Sequence, residues 1–298
     1  MFCQKAKTLY HWYKHFLSDY LPDKEQGKWC CEKIEVLNKK TGEKKEKLLY
    51  VFKPENVGSN MSIDDKSIGH QGFTVLSNND SGKIALLVES TTAEGVGQAM
   101  KKFGNTTLSK IKNISMDMSP TYALVINDLA PRAMHIIDKF HVMKYVYQSL
   151  CEVRSRTVKE LREQLSKGKK PNEEDQKLLS QIELLRRVSH SITQSSDKWN
   201  DEMKETINQI FTKHDELRTA YELSQKFKRW YDYQNSINSI CQITQNLHLW
   251  YKEAMLIPDF KSVIKMLRKH EPQIINFFKN KMTNAKAERL TPNSAYFR

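Results

Sequence analysis

The sequence predicts an α/β protein in which a mixed five-strand sheet with flanking helices is interrupted by a large all-α insertion. Short apolar and β-branched runs between about residues 60 and 140 follow the order β-β-β-α-β-α-β. This order is typical of three antiparallel strands followed by two strands joined through helical crossovers. From there to about residue 271, apolar residues recur at helical spacing. A last helix is predicted over residues 271–290, just before Pro292.

These patterns divide the 298 residues into four expected segments. We expect residues 1–58 to form a small N-terminal appendage and residues 291–298 a tail. Residues 59–145 together with 272–290 form the predicted core, and residues 146–271 form the predicted all-α insertion.

The appendage combines a helical pattern with two short strands. Residues 4–20 repeat apolar and aromatic residues at helical spacing, and residues 31–52 indicate two strands around a lysine-rich turn at Thr41-Gly42. The segment is too short for an independent module that reads DNA sequence.

Each element of the core has its own signal. The helix predicted at residues 92–103 places Val96, Met100 and Phe103 on one face. Ser119-Pro120 starts the next helix, because Ser is a favoured N-cap and Pro is favoured at the first helical position. The predicted strands are residues 61–66, 72–78, 83–90, 111–117 and 133–140.

The charge balance favours a polyanionic partner. Lysine and arginine number 48 against 35 acidic residues, which gives a net charge of +13. Cationic side chains that neutralise phosphates release condensed counterions, so nucleic acid is the favoured partner, with a solvated cationic surface as the alternative. No run approaches the roughly 18 apolar residues of a membrane helix, the N-terminus lacks a secretory pattern, and the five scattered cysteines indicate reduced thiols. We therefore expect a cytoplasmic protein.

Two carboxylates fall at the middle and the end of strands that should be neighbours. Asp64 lies within the first core strand, and Asp117 ends the fourth. Such a pair suits Mg²⁺, which takes oxygen ligands and often only one or two protein carboxylates. A third acid on a helix that crosses the sheet would complete a two-metal site, and the last helix offers Glu271 and Glu288.

Each of these residues also has a plain structural interpretation. Asp65 rather than Asp64 is the inward residue if the strand is turned over, since neighbours on a strand face opposite sides. Asp117 can accept hydrogen bonds from the free N–H groups of the helix that starts at Ser119. Glu288 can be an ordinary surface acid of its helix.

Short motifs are spread over about residues 58–290 and are densest at residues 113–154. They are Ile63-Asp64-Asp65, Asp117, Pro131-Arg132-Ala133, Asp138-Lys139-Phe140-His141-Val142, Val153-Arg154 and Asn284-Ala285-Lys286-Ala287-Glu288. Together these motifs resemble the ISL-three family of bacterial insertion-sequence transposases.

The resemblance implies a ribonuclease H-like fold and a DDE active site in which Asp64, Asp117 and Glu288 hold two Mg²⁺ or Mn²⁺ ions. It implies metal-dependent cleavage of element ends and strand transfer into target DNA, by a homodimer or larger assembly on DNA. It also places Asp138 and His141 near the active site, where they touch the scissile strand or stabilise its geometry. The alternative for His141 is a packed residue at a strand-to-helix junction.

The chain departs from the family pattern at both ends. Residues 1–58 show neither the zinc-binding nor the helix-turn-helix pattern usual in the family, and after Glu288 the family's basic helix is replaced by a segment with Pro292. We therefore expect a C-terminally curtailed chain with weakened or lost activity. The alternatives to an active transposase are a truncated, catalytically inactive DNA-binding remnant and a hydrolytic ribonuclease H-like nuclease.

The segment Lys226–Tyr233 mixes basic and aromatic residues. Its rings, with those of Trp250-Tyr251, are candidates for stacking on bases, although aromatics at helical spacing more often form core. We expect Lys226, Lys228 and Arg229 to face solvent and to contact DNA.

Overall fold

A mixed sheet of seven strands organises the N-terminal part of the chain that the structure describes. The structure is a computed structural model, and it describes residues 32–37, 42–68, 71–166, 171–232 and 240–280. The strands are β1 (Glu32–Leu37), β2 (Lys44–Phe52), β3 (Asn60–Ile68), β4 (Gln71–Asn78), β5 (Ile84–Val88), β6 (Asn113–Met116) and β7 (Met134–Ile137).

The strand order is β1-β2-β5-β4-β3-β6-β7. Strands β3, β4 and β5 form an antiparallel meander, whereas β6 pairs in parallel with both β3 and β7. This arrangement of the last five strands confirms the predicted α/β, ribonuclease H-like fold.

The sheet has seven strands and not the five expected, because the two strands of the predicted appendage extend it. β1 pairs with β2, and β2 pairs with β5 from Leu49↔Val88 onward. All five residues of β5 are buried, so an unpaired outer edge would leave backbone groups of an apolar strand without partners. Leu49 and Val51 of β2 are 2% and 6% exposed, which shows that this pairing adds to the core.

Three helices accompany the strands. Thr92 caps the first by accepting a hydrogen bond from the Gly95 amide, and Ser119 caps the third by accepting one from the Thr121 amide. Pro120 occupies the first turn of the third helix, as its sequence predicts. The helices are α1 (Ala93–Lys101), α2 (Asn105–Leu108) and α3 (Pro120–Leu129).

The chain divides into two compact units. The described residues up to Asp138 and from Asn276 form the first, and Lys139–Ile275 form the second. All secondary-structure elements in the described residues of the second unit are helices. Its helices are α4 (Lys139–Glu163), α5 (Glu173–Arg187), α6 (Asp201–Lys213), α7 (Asp215–Asp232), α8 (Ile240–Ala254) and α9 (Lys261–Lys269), and α10 (Glu271–Asn280) begins in it.

A network of polar contacts fixes the start of α5. Asn172 and Asp175 form a capping box, in which each side chain accepts a hydrogen bond from the other's amide. The amide and the hydroxyl of Ser166 also donate to the Asp175 carboxylate. The network ties the start of α5 to the chain that follows α4.

None of the helices between residues 93 and 280 that the structure describes is both long enough and apolar enough to span a bilayer.

Candidate active site

Strand register brings Asp64 and Asp117 to the same level of the sheet. β3 and β6 pair in parallel from Asn60↔Asn113 to Ser62↔Ser115, and each aspartate lies two residues beyond the last pair. Adjacent strands are about 4.8 Å apart. The two carboxyl-bearing positions are therefore neighbours across the sheet.

Asp138 continues the same row on the next strand. β6 and β7 pair as far as Met116↔Ile137, and the Asp138 amide donates to the Met116 carbonyl at 2.9 Å. Asp117 and Asp138 each follow the last residue of their strand. The family resemblance predicts that Asp138 lies near the site. The strand register supports the same prediction, because it puts Asp138 beside Asp117 on the neighbouring strand.

The face beneath this row is lined with small polar side chains. Ser62 and Ser77 are 6% exposed and hydrogen-bond through their Oγ atoms at 2.8 Å, and Ser115 is 2% exposed. Side chains at i and i+2 on a strand share a face, so Asp64 lies on the side of Ser62, and Asp65 lies on the other. Asp64 is half-buried and Asp65 is exposed.

Both oxygens of Asp64 accept hydrogen bonds. Oδ1 accepts the Asp65 amide at 2.9 Å, and Oδ2 accepts the Lys66 ammonium at 2.5 Å. The site therefore contains a cation of the chain itself. The sequence carried a signal for this contact, since Lys66 lies two residues after Asp64 on a strand, but our sequence interpretation did not use it.

The Asp117 carboxylate accepts a hydrogen bond from the backbone at the start of α3. Its Oδ1 accepts the Ser119 amide at 2.8 Å, which is the contact that the structural interpretation of this residue anticipates. The hydrogen bond orients the carboxylate at the start of α3. A ligand role and a role at the helix start are thus compatible for Asp117.

A buried phenol lies on the Asp65 side of the sheet, because its partner Thr74 pairs with Asp65 across the strands. Tyr122 is 2% exposed, and its hydroxyl lies 3.2 Å from Thr74 Oγ1. Burial raises the pKa of Tyr122, and the carboxylates of Asp65, Asp117 and Asp64 raise the pKa further. Tyr122 therefore stays neutral and contributes no charge to the site.

The third predicted carboxylate is not described. Glu288 lies outside the described residues, as does its Asn-Ala-x-x-Glu motif. Glu271 is described and its Oε1 lies 2.8 Å from His248 Nε2 within the second unit. In the ranges the structure describes, no three His, Cys, Asp or Glu side chains are grouped so that they could hold a metal ion.

His141 lies in the first turn of α4 and is half-buried. The ring of Phe140 meets it edge-on, with the ring centroids 5.6 Å apart, and Phe140 itself is 60% exposed. These observations are compatible with both interpretations of His141.

Of the six candidate rings, Trp230 is half-buried and Tyr233 lies outside the described residues, and the other four belong to the core of the second unit. They pack on one another, with the rings of Phe227 and Trp250 4.5 Å apart. Their burial removes them as stacking platforms for bases. The buried rings are Phe227, Tyr231, Trp250 and Tyr251.

The basic residues of α7 differ in their surroundings. Lys226 is exposed and pairs with Glu253 at 2.7 Å, and Arg229 is exposed. Lys228 does not face solvent as expected, because it is half-buried and its ammonium donates to Ser195.

The chain matches one family model among known proteins. The model of the ISL-three type of DDE transposases, described as "Transposase", matches residues 61–291, well over half of the chain. No curated protein and no solved structure matches the chain.

Proposed function

Because the chain belongs to the ISL-three family of DDE transposases, we propose that it cleaves DNA at the ends of a mobile element and joins the freed strand to target DNA. Transposases act on DNA, and the net charge of +13 suits that substrate. We further propose that the protein works as a homodimer or larger assembly on DNA.

The proposed centre consists of Asp64, Asp117 and Glu288. The observation that carries it is the shared level of Asp64 and Asp117 on adjacent parallel strands. Transposases of this family use divalent metal ions, and carboxylate oxygens are the ligands that Mg²⁺ and Mn²⁺ prefer. When bound, such ions polarise the scissile phosphate and make water or a 3′-hydroxyl a better nucleophile.

The protein's own residues would hold this centre in place. The Ser119 amide orients Asp117, and the buried serines support the sheet face from which Asp64 projects. Asp138 adds a carboxylate to the row, and we propose that it positions Asp117 or the DNA strand together with His141. Lys226 and Arg229 are the exposed basic residues of α7 that we propose contact DNA phosphates.

The test uses labelled duplexes that cover the DNA on both sides of the coding sequence, with a supercoiled target and Mg²⁺. We expect the native chain to yield joined products. Asp64→Asn or Asp117→Asn should lower cleavage at least about a hundredfold, because a metal ligand supports several kcal/mol of transition-state stabilisation. Asp128→Asn is the matched control, since Asp128 is an exposed acid that pairs with Lys101 at 3.7 Å.

The products separate the proposal from its rivals. Hydrolysis without joining indicates a nuclease, and DNA binding without any product indicates an inactive remnant. Native cleavage rates in Asp64→Asn or Asp117→Asn, with native folding by circular dichroism, remove that residue from the centre.

A further inference from the structure

Lys66 is a cation in direct contact with Asp64 of the proposed centre. It lies on β3 two residues beyond Asp64 and therefore on the same face of the strand. Its ammonium lies 2.5 Å from Asp64 Oδ2, and the two side chains are 36% and 31% exposed. The pair is thus half-buried and in direct contact.

We propose that Lys66 is a positioning residue whose ammonium competes with the divalent cation for Asp64. This inference rests on the proposed function, because it takes Asp64 as a metal ligand. Asp64 Oδ1 is engaged by the Asp65 amide, and Oδ2 is engaged by Lys66. A cation that binds this carboxylate therefore meets the ammonium at the same oxygen and either displaces it or is repelled by it.

The surroundings of Lys66 favour this contact over others. Its cross-strand partner is Phe73, whose buried ring offers no anion. Asp65 points to the opposite face. In the absence of a divalent cation, Lys66 balances the charge of Asp64 and keeps the carboxylate in one orientation.

Removal of the ammonium should strengthen cation binding. We expect Lys66→Met to bind Mn²⁺ about fivefold more tightly than the native chain, the size of effect expected for a half-exposed ion pair. That ratio corresponds to about 1 kcal/mol. Lys66→Arg keeps the charge and should bind Mn²⁺ with native affinity.

The measurement is a titration of the full chain with Mn²⁺, in which electron paramagnetic resonance reports the free ion. The control is Lys101→Met, which removes an exposed lysine paired with Asp128 at 3.7 Å. It should leave the affinity unchanged. An equal gain in Lys66→Met and Lys101→Met would show a general charge effect and overturn the inference.

The same titration in an Asp64→Asn background completes a double-mutant cycle. We expect Asp64→Asn to weaken Mn²⁺ binding and to abolish the effect of Lys66→Met. If Asp64→Asn weakens binding but Lys66→Met alone leaves the affinity unchanged or lowers it, the competition is refuted and the proposed centre stands. Native affinity in Asp64→Asn refutes both the metal role of Asp64 and the competition.

Discussion

Asp138 lies one strand away from Asp117 at the same level, and its amide bonds to the Met116 carbonyl. We predict that Asp138→Asn lowers cleavage about tenfold to a hundredfold, because groups that orient metal ligands commonly contribute that much. The substitution keeps the backbone amide that bonds to Met116 and keeps the side-chain size, so folding should be native. Cleavage rates at saturating DNA, together with Mn²⁺ affinity, provide the measurement.

The comparison with Asp117→Asn is the internal reference for this prediction. Asp138→Asn should be clearly the milder change, with Mn²⁺ still bound. A cleavage rate within twofold of the native chain would assign Asp138 a purely structural role at the strand end.

At the residue scale, the sequence indicates Asp64 and Asp117 because both fall on predicted neighbouring strands. It does not establish the ion pair of Asp64, since a lysine at i+2 has many rotamers and several anions within reach of its long stem. The sequence also predicts that Lys228 faces solvent, whereas in the structure Lys228 is half-buried and donates a hydrogen bond to Ser195. Such contacts depend on packing between elements, which local patterns do not contain.

Among the elements, the start of α5 offers a test of stability. The Asp175 side chain is 4% exposed. Hydrogen bonds from the Ser166 hydroxyl, the Ser166 amide and the Asn172 amide lower the pKa of Asp175. A lowered pKa in the folded state stabilises the fold above the ordinary carboxyl pKa of about 3.9, and this contribution is lost as the pH falls from that value through the lowered pKa of the folded state.

We predict that Asp175→Asn lowers the melting temperature at pH 7 and that the difference from the native chain shrinks towards pH 3. Glu174→Gln is the matched control, because Glu174 is an exposed acid in the same first turn and should change the melting temperature little at either pH. Thermal unfolding followed by circular dichroism measures both. A deficit in Asp175→Asn that is independent of pH would contradict the charge argument.

The elements themselves were largely predictable. Three kinds of local signal predict them: alternating strand patterns, the Ser119-Pro120 helix start and the helical spacing after residue 140. The structure has a strand or a helix at each of these places in its described residues. The addition of β1 and β2 to the sheet was not predictable from those signals. β2 pairs with β5, which lies about 40 residues later in the chain. The feature that favours this pairing is the burial of β5 on both faces, and local sequence patterns do not show it.

For the whole molecule, the charge of +13 predicts DNA binding that is mainly electrostatic. If about six phosphates are neutralised, the affinity should fall about a thousandfold between 50 and 200 mM salt. Arg229→Ala should lower the slope of log affinity against log salt by about 1 if Arg229 contacts a phosphate. Fluorescence anisotropy with duplexes of unrelated sequence measures these slopes.

Arg218→Ala provides the control on the same helix, because Arg218 is already paired with Asp215 at 2.9 Å and should change the slope less. A footprint of defined sequence at moderate salt would contradict the expectation that binding is largely non-specific.

The first unit is assembled from two distant stretches of the chain, and this has a consequence for its synthesis. The Asn276 side chain donates to the His135 carbonyl at 2.9 Å across 141 positions in sequence. Closing a loop of that length costs about 4 kcal/mol of chain entropy. On the ribosome, β7 is synthesised long before Asn276. The strand therefore lacks this hydrogen-bond partner while the helices between them are translated. The contact with Asn276 can therefore form only after the helices between the two stretches have been synthesised.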